Sequence, residues 1–331
     1  MIAAVLAVLV CTLTFAAAAP RIARHVNPAI ATRMLVPASL LIAAASTFAL
    51  GVAAFTLIGQ FPEIAEIGRW SPRTLRADTP IPPAAAWAGM LLLGYATVSA
   101  LILVSRRSAA LLEVHRSCGR LGAPGSVVIL ESESPNAFTT PEMTGRIIVT
   151  RGMLNALSPI ECRAMLAHEA SHLRHRHAWW LLVADLAAAI NPALRVTART
   201  IRHAVERWAD EDAADAVADR RTVAHAVAHA ALAAHAHRET SSPQTAATGG
   251  DVPARVAALL APRGNRTRRA LAAMAISTAL LGATGGATLA LQHDGEQLFE
   301  RVMATQVHLA NATQLVHRHP SADVRLGRHP R

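Results

Sequence analysis

Four runs of this sequence carry no charged residue: 2–19, 34–59, 84–104 and 270–291. At about 1.5 Å per residue each is long enough to cross roughly 30 Å of hydrocarbon. A run of this kind constrains the fold more than any other feature, because lipid leaves its backbone no partner but itself and so imposes a helix. The first run, "IAAVLAVLVCTLTFAAAA", ends on small residues like a cleaved signal. It lacks the positive segment that precedes a signal core, and is read as a retained anchor. The sequence therefore predicts a mainly α, integral membrane chain with four transmembrane helices.

The arginines orient those helices. The chain has 32 Lys+Arg, every one an arginine, as expected of a GC-rich bacterial genome. Arg21, Arg24 and Arg33 follow the first run with no acid among them, whereas the three arginines of 60–83 are balanced by Glu63, Glu66 and Asp78. Arg106, Arg107, Arg116 and Arg120 follow the third run, and Arg263, Arg266, Arg268 and Arg269 precede the fourth. The positive-inside rule then puts both termini outside the plasma membrane and 105–269 in the cytoplasm. The arginines are scattered and not interleaved with aromatics, so direct nucleic-acid binding is not expected despite a net charge of +10. Cys11, Cys118 and Cys162 show no paired spacing and read as small apolar fillers.

Three spans thus fill 1–104, and 105–238 has the pattern of a soluble α+β domain. A Ser/Thr/Gly/Pro-rich stretch makes 239–269 a flexible linker to the fourth span, and the apolar-poor tail 292–331 reads as disordered. Within the domain, "SVVILE" (126–131) and "GRIIVT" (145–150) are short β-branched strands. Ser158, Pro159 and Glu161 form a capping box that starts a helix able to run to the neighbourhood of Ala178. The apolar segment 179–190 is too short for a fifth span and carries Asp185, so it is a buried or membrane-grazing helix.

The capped helix holds "HEASH", which places His168 and His172 one turn apart on one face, where two imidazoles can share a zinc ion. Glu169 beside them is placed to act as general base on a water at the metal. With 16 His in the chain the motif alone does not decide the matter. A catalytic zinc site needs a third ligand and an open position. On a straight helix His175 lies about 10 Å along the axis from His168, too far to share its ion. The next long helix offers Glu206 as third ligand and, four residues on, Asp210 to orient a ligand histidine. One Zn2+ per chain is expected. The oxyanion partner stays open between His203 and an arginine, and His225, His229, His235 and His237 read as surface helix residues.

"LAHEASHLRHRH" followed by "ERWADEDAAD" resembles the BlaR/MecR-type membrane metallopeptidases, peptidase family 56, which are related to the HtpX and Ste-type CAAX-processing proteases. The resemblance implies a cytoplasmic zincin-like (gluzincin) metalloprotease domain. It makes Glu169 the base, His168, His172 and Glu206 the ligands, and Asp210 the acid paired with Glu206. "PNAFTTP" resembles the segment ahead of the active helix in those proteases, which makes Asn136, Ala137 and Phe138 part of an edge strand that aligns substrate. The implied function is a zinc metalloendopeptidase that cuts a cytoplasmic protein, a transcriptional repressor in a signalling pathway. The β-lactam sensor domain of that family, with its Ser-x-x-Lys motif, has no counterpart in a chain without lysine. Two alternatives stand beside it: an HtpX/Ste-type quality-control or CAAX-processing protease, and a non-catalytic membrane sensor with a structural zinc. A purely structural site has no need of Glu169. A metal transporter is disfavoured, because the four runs hold no His, Asp or Glu.

Overall fold

The computed structural model describes residues 1–118, 123, 125–141, 145–241, 252–262 and 267–318. In chain order the elements begin with α1 (Ile2–His25), α2 (Pro28–Ile58), α3 (Pro62–Gly68), α4 (Pro72–Asp78) and α5 (Pro83–Cys118). A small sheet follows, of β1 (Val127–Leu130), β2 (Ala137–Thr139) and β3 (Ile147–Thr150). Then come α6 (Arg151–Ala156), α7 (Pro159–Arg174), α8 (His177–Ile190), a 3-10 turn at Pro192–Leu194, α9 (Arg195–Val217), α10 (Arg220–Ser241), α11 (Val252–Leu260) and α12 (Thr267–Arg318). Among the described residues α1, α2, α5 and α12 are the four helices long and apolar enough to cross a membrane. The described residues are thus mainly α, with one three-stranded sheet among them.

The chain divides into two compact units. One comprises Met1–Val8, Thr47–Gly94 and Gly285–Arg331. Its packing centres on Phe55, Trp70 and Phe299, with ring centroids 5.1–6.3 Å apart, and the Trp70 indole donates to the Gly59 carbonyl at 2.8 Å. The other comprises Leu9–Ser46 and Tyr95–Thr284 and holds every predicted site residue. Its largest core joins α1 and α2 to α8 and α9 through Phe15, Leu35, Ile42, Leu194 and Ile201, all at most 1% exposed.

β3 is the centre of the sheet, paired parallel with β1 and antiparallel with β2, and all four of its residues are buried. β2 is therefore an edge. In its register Asn136 accepts from the Thr150 N–H (3.0 Å) and Thr140 donates to Arg146 (2.9 Å). Hydrogen-bonded pairs alternate along an antiparallel ladder, so Phe138 spends its N–H and C=O on β3 while those of Ala137 and Thr139 point to the open side. Gly152, at the start of α6, lets the preceding loop close in. A Cβ there would lie 2.1 Å from the Glu133 carbonyl oxygen.

Three expectations are corrected. The helix from Ser158 does not run to Ala178. It stops at Arg174, and Arg176 takes a left-handed φ of 53° that redirects the chain into α8. The linker is not without structure: 242–251 and 263–266 lie outside the described residues, but between them "VPARVAALL" forms α11, whose Val256 and Leu259 pack into the core of α7, α9 and α10. The tail is helical to Arg318, with 319–331 outside the described residues. No proline occurs between Gln292 and Arg318 to end the helix, and Gln292–Glu296 and His293–Gln297 bonds of 2.9 Å support it.

Candidate metal centre

α7 begins as its sequence predicts. The backbone N–H and the hydroxyl of Ser158 both donate to Glu161 (2.9 and 2.7 Å), which fixes the helix start one residue before Pro159. Ten residues on, His168 and His172 face α9, and Glu206 reaches them from that helix. The His168 and His172 Nε2 atoms are 3.1 Å apart; Glu206 lies 3.6 Å from the first and 3.7 Å from the second. Metal–ligand bonds of 2.0–2.1 Å at tetrahedral angles separate neighbouring donors by roughly 3.3–3.4 Å. The observed triangle fits that requirement, and the donor set is one that zinc accepts.

The surrounding charges are arranged around this triangle. Asp210, 2% exposed, has Oδ1 3.0 Å from His168 Nδ1. Burial works against a charge on His168, but the Asp210 and Glu206 carboxylates overcome it and raise its pKa to about 10. His172 goes the other way, to about 4, because burial and the neighbouring His168 charge both disfavour its protonation. Burial works against ionisation of Glu206 and Asp210 too. The adjacent His168, with Arg255 and for Glu206 also His172, nevertheless keeps both below the usual carboxylate range. Burial raises Glu169, the direction expected of a proton acceptor working near neutral pH.

Two residues at the centre escaped the sequence reading. Arg255 of α11 grips Asp210 with two bonds (2.6 and 2.8 Å) and approaches Glu206 at 3.1 Å. It was hidden in the assumed linker, although Val252, Val256 and Leu259 form an apolar stripe that marks a helix. Arg220 seats α11 by donating to the carbonyls of Ala258 (2.8 Å) and Leu259 (2.9 Å) at its C-terminus. The second residue is His177. The turn at Arg176 brings its Nδ1 to 3.0 Å from His172 Nδ1, in a fully buried position against Trp208. Burial and the His172 charge lower its pKa to about 3. His175 is not in the triangle; it meets Asp212 at 2.9 Å.

A cavity of about 450 Å³ opens onto His168, Glu169, His172, Glu206 and Arg255. The β2 edge contributes Ala137, Phe138 and Thr139 to its lining, and the rest is largely apolar, with Met153, Met165, Val223, Ala226, Val227 and Ala230. Of the predicted substrate residues, Ala137 and Phe138 line this cavity, while Asn136 stands outside its lining with an exposed side chain. His203 lines a different cavity beside Pro20 and Arg24. Of the two cations weighed for the oxyanion, only the arginine class is represented at the site. The surface reading of His229 is incomplete, since its half-exposed ring reaches Glu161 at 2.7 Å.

Residues 105–328 match peptidase family M48. Among curated proteins, the chain is 47% identical over 62 residues to a protease HtpX homolog of Thermoplasma acidophilum, covering 18% of this chain and 20% of the relative. It is 42% identical over 77 residues to that of Aeropyrum pernix (22% and 24%), and 36% identical over 89 residues to that of Ralstonia nicotianae (26% and 30%). The aligned stretches thus span about a fifth to a third of these relatives. No solved structure matches the chain.

Proposed function

The chain belongs to peptidase family M48, and from that premise we propose that it is a membrane-bound, zinc-dependent endopeptidase of the HtpX type. The observation that carries the proposal is the donor triangle of His168, His172 and Glu206 with Glu169 at its side, in a cavity walled by a free strand edge. The relatives favour this reading over cleavage of a repressor by a BlaR/MecR-type receptor. By the positive-inside rule the centre faces the cytoplasm and both termini lie outside.

The chemistry that zinc supplies when held by these three side chains is Lewis acidity, which polarises the scissile carbonyl and acidifies water. The remaining work falls to the chain itself. An extended peptide adds to β2 through the outward backbone groups of Ala137 and Thr139, which sets its register across the cavity. The apolar wall accepts a large apolar side chain of the substrate. Glu169 takes a proton from the attacking water and returns it to the leaving amine. Asp210 and Arg255 hold His168 and Glu206 in place, so the ligands do not have to reorganise.

Glu169→Gln tests the proposal with little change of shape. The variant should bind zinc as the parent does and lose cleavage of an unfolded membrane-protein substrate by at least about 100-fold, the usual contribution of general acid–base catalysis. Undiminished cleavage with zinc bound would refute it.

A further inference from the structure

The short apolar helix α8 is not long enough to span a bilayer, and its polar contacts set its depth. α9 and the turn that precedes it lie beside α1, and three levels of contact connect them with α1 and α2. At the first, Asn191 donates to Ser46 of α2 (2.9 Å), which is 3.4 Å from Thr12 of α1. At the second, Pro20, Ala23 and Arg24 share a cavity with Arg199, Thr200 and His203. At the third, the α1–α2 turn at Asn27 and Pro28 shares one with Trp208 and Asp212, and Arg33 stacks on Trp208 at 4.6 Å. The spacing agrees on both sides: eight residues of α1 separate Thr12 from Pro20, about 12 Å, and from Arg199 four residues of α9 (about 6 Å) and the 3-10 turn at about 2 Å per residue (about 6 Å) lead down to Pro192.

The middle level is a collar of arginines, Arg21 and Arg24 on α1 with Arg199 and Arg202 on α9. Asp185, the one charge in α8, belongs to it, since Arg107 of α5 and Arg202 hold its two oxygens at 2.8 and 2.9 Å. Beyond Asp185, residues 186–194 carry no charge. The deepest cation, Arg195, ends on the hydroxyl of Tyr95, within the apolar run of α5 (2.9 Å).

We infer that α8, the 3-10 turn and the first turns of α9 form a re-entrant hairpin, whose tip at 191–194 dips about 12 Å below the arginine collar into the acyl region of the bilayer. It meets the requirement for irregular backbone at that depth: the Asn191 side chain accepts from the Ala193 N–H (3.1 Å) and donates to Ser46. The hairpin also fixes the metal centre in height. Glu206 lies seven residues beyond Arg199, about 10 Å above the collar, and level with the α1–α2 turn. The centre therefore sits close to the membrane surface. This inference rests on the reading of α1, α2 and α5 as spans, and not on peptidase activity.

Nitroxide labels in proteoliposomes test it. Single cysteines go to Ala193, exposed Val196 and Arg199, in a chain whose three native cysteines are alanine. Leu41 on α2 (58% exposed) is the lipid reference, and Leu232 on α10 (64% exposed) the water reference. Oxygen concentrates in acyl chains and a nickel chelate in water. Ala193 and Val196 should behave as Leu41 does, with a high ratio of oxygen to nickel accessibility, and the ratio should fall towards Arg199. A nickel accessibility at Val196 equal to that at Leu232 overturns the hairpin. Low accessibility to both reagents overturns it too, because a second polypeptide then covers the tip. Nickel accessibility at Leu41 would instead overturn the reading of α2 as a span.

Discussion

Replacing His177 with phenylalanine should weaken zinc binding by about three- to tenfold, the worth of the one hydrogen bond that orients a metal-ligating histidine. A histidine that ligates through Nε2 carries its ring proton on Nδ1. For His172 the atom that faces it is His177 Nδ1, at 3.0 Å. His177 must then accept, with its own proton on Nε2, and its low pKa is that of a ring kept neutral. Phenylalanine keeps the ring against Trp208, 4.8 Å between centroids, but offers no acceptor. The His172 N–H then loses its acceptor, but the His177 Nε2–H, itself buried without a hydrogen-bond partner among the described residues, is removed as well, so the net cost is that of one hydrogen bond, about 0.5–1.5 kcal/mol, where each 1.4 kcal/mol is tenfold in affinity. In the metal-free protein the proton can move to Nε2, where it faces the Glu206 carboxylate at 3.7 Å, so the loss appears in affinity more than in folding. Competition against a chromophoric chelator measures the first, and thermal unfolding of the metal-free protein the second. His177→Gln, which restores an acceptor, should recover part of the affinity. A phenylalanine variant that binds zinc within about twofold of the parent, at unchanged stability, refutes the reasoning, because the lost acceptor would then be worth less than any buried hydrogen bond.

Other expectations follow from the charges and the strand edge. Arg255→Leu leaves Asp210 and Glu206 with His168 as their remaining cation and should destabilise the metal-free protein by about 3 kcal/mol, the scale of a broken buried pair. Added zinc should restore part of that loss in thermal unfolding, and equal losses with and without zinc would count against the arrangement. His168 has a folded pKa of about 10, above the 6.5 of a free histidine. Its proton therefore stabilises the metal-free fold fully below about pH 6.5 and ceases to do so as pH rises through 10. Zinc must displace that proton, so affinity should rise between pH 7 and 9 with release of about one proton per ion, read with an indicator dye. Ala137→Pro removes an outward N–H that β3 does not use and should raise KM by about three- to tenfold, the worth of one hydrogen bond, with the fold intact. Phe138→Pro removes an inward N–H and should instead loosen the sheet, seen in amide exchange. Identical behaviour of the two variants would refute the assigned register.

The parts of the molecule that were legible in the sequence are those set by short-range rules. Charge-free length marks a candidate spanning helix whatever surrounds it, and among the described residues four helices are long and apolar enough to cross a membrane. Ser158, Pro159 and Glu161 start α7 by local hydrogen bonds alone, and a four-residue spacing puts His168 and His172 on one face before any tertiary contact is made. Glu206 and Asp210 were legible for the same reason, since the structure brings the two helices together at the positions their spacings single out.

What the sequence did not display depends on distant partners. Arg176 is an ordinary helix former, and nothing local announces its left-handed turn. The turn persists because His177 and the apolar face of α8 are buried beyond it, against Trp208 and against α1 and α2. A straight-helix extrapolation therefore carried His177 away from His172 when the chain in fact returns it. Arg255 shows the same failure from composition. The residues before it are those of a linker, yet nine residues with an apolar stripe suffice for a helix once α7, α9 and α10 offer a groove and Arg220 closes its end. The polar groups that tune the centre thus sit just beyond the places where local patterning stops being informative. They are ordered by the packing of α8 and α11, and any change that loosens either helix should reach the triangle of His168, His172 and Glu206 through His177 or Arg255 without touching any of the three itself.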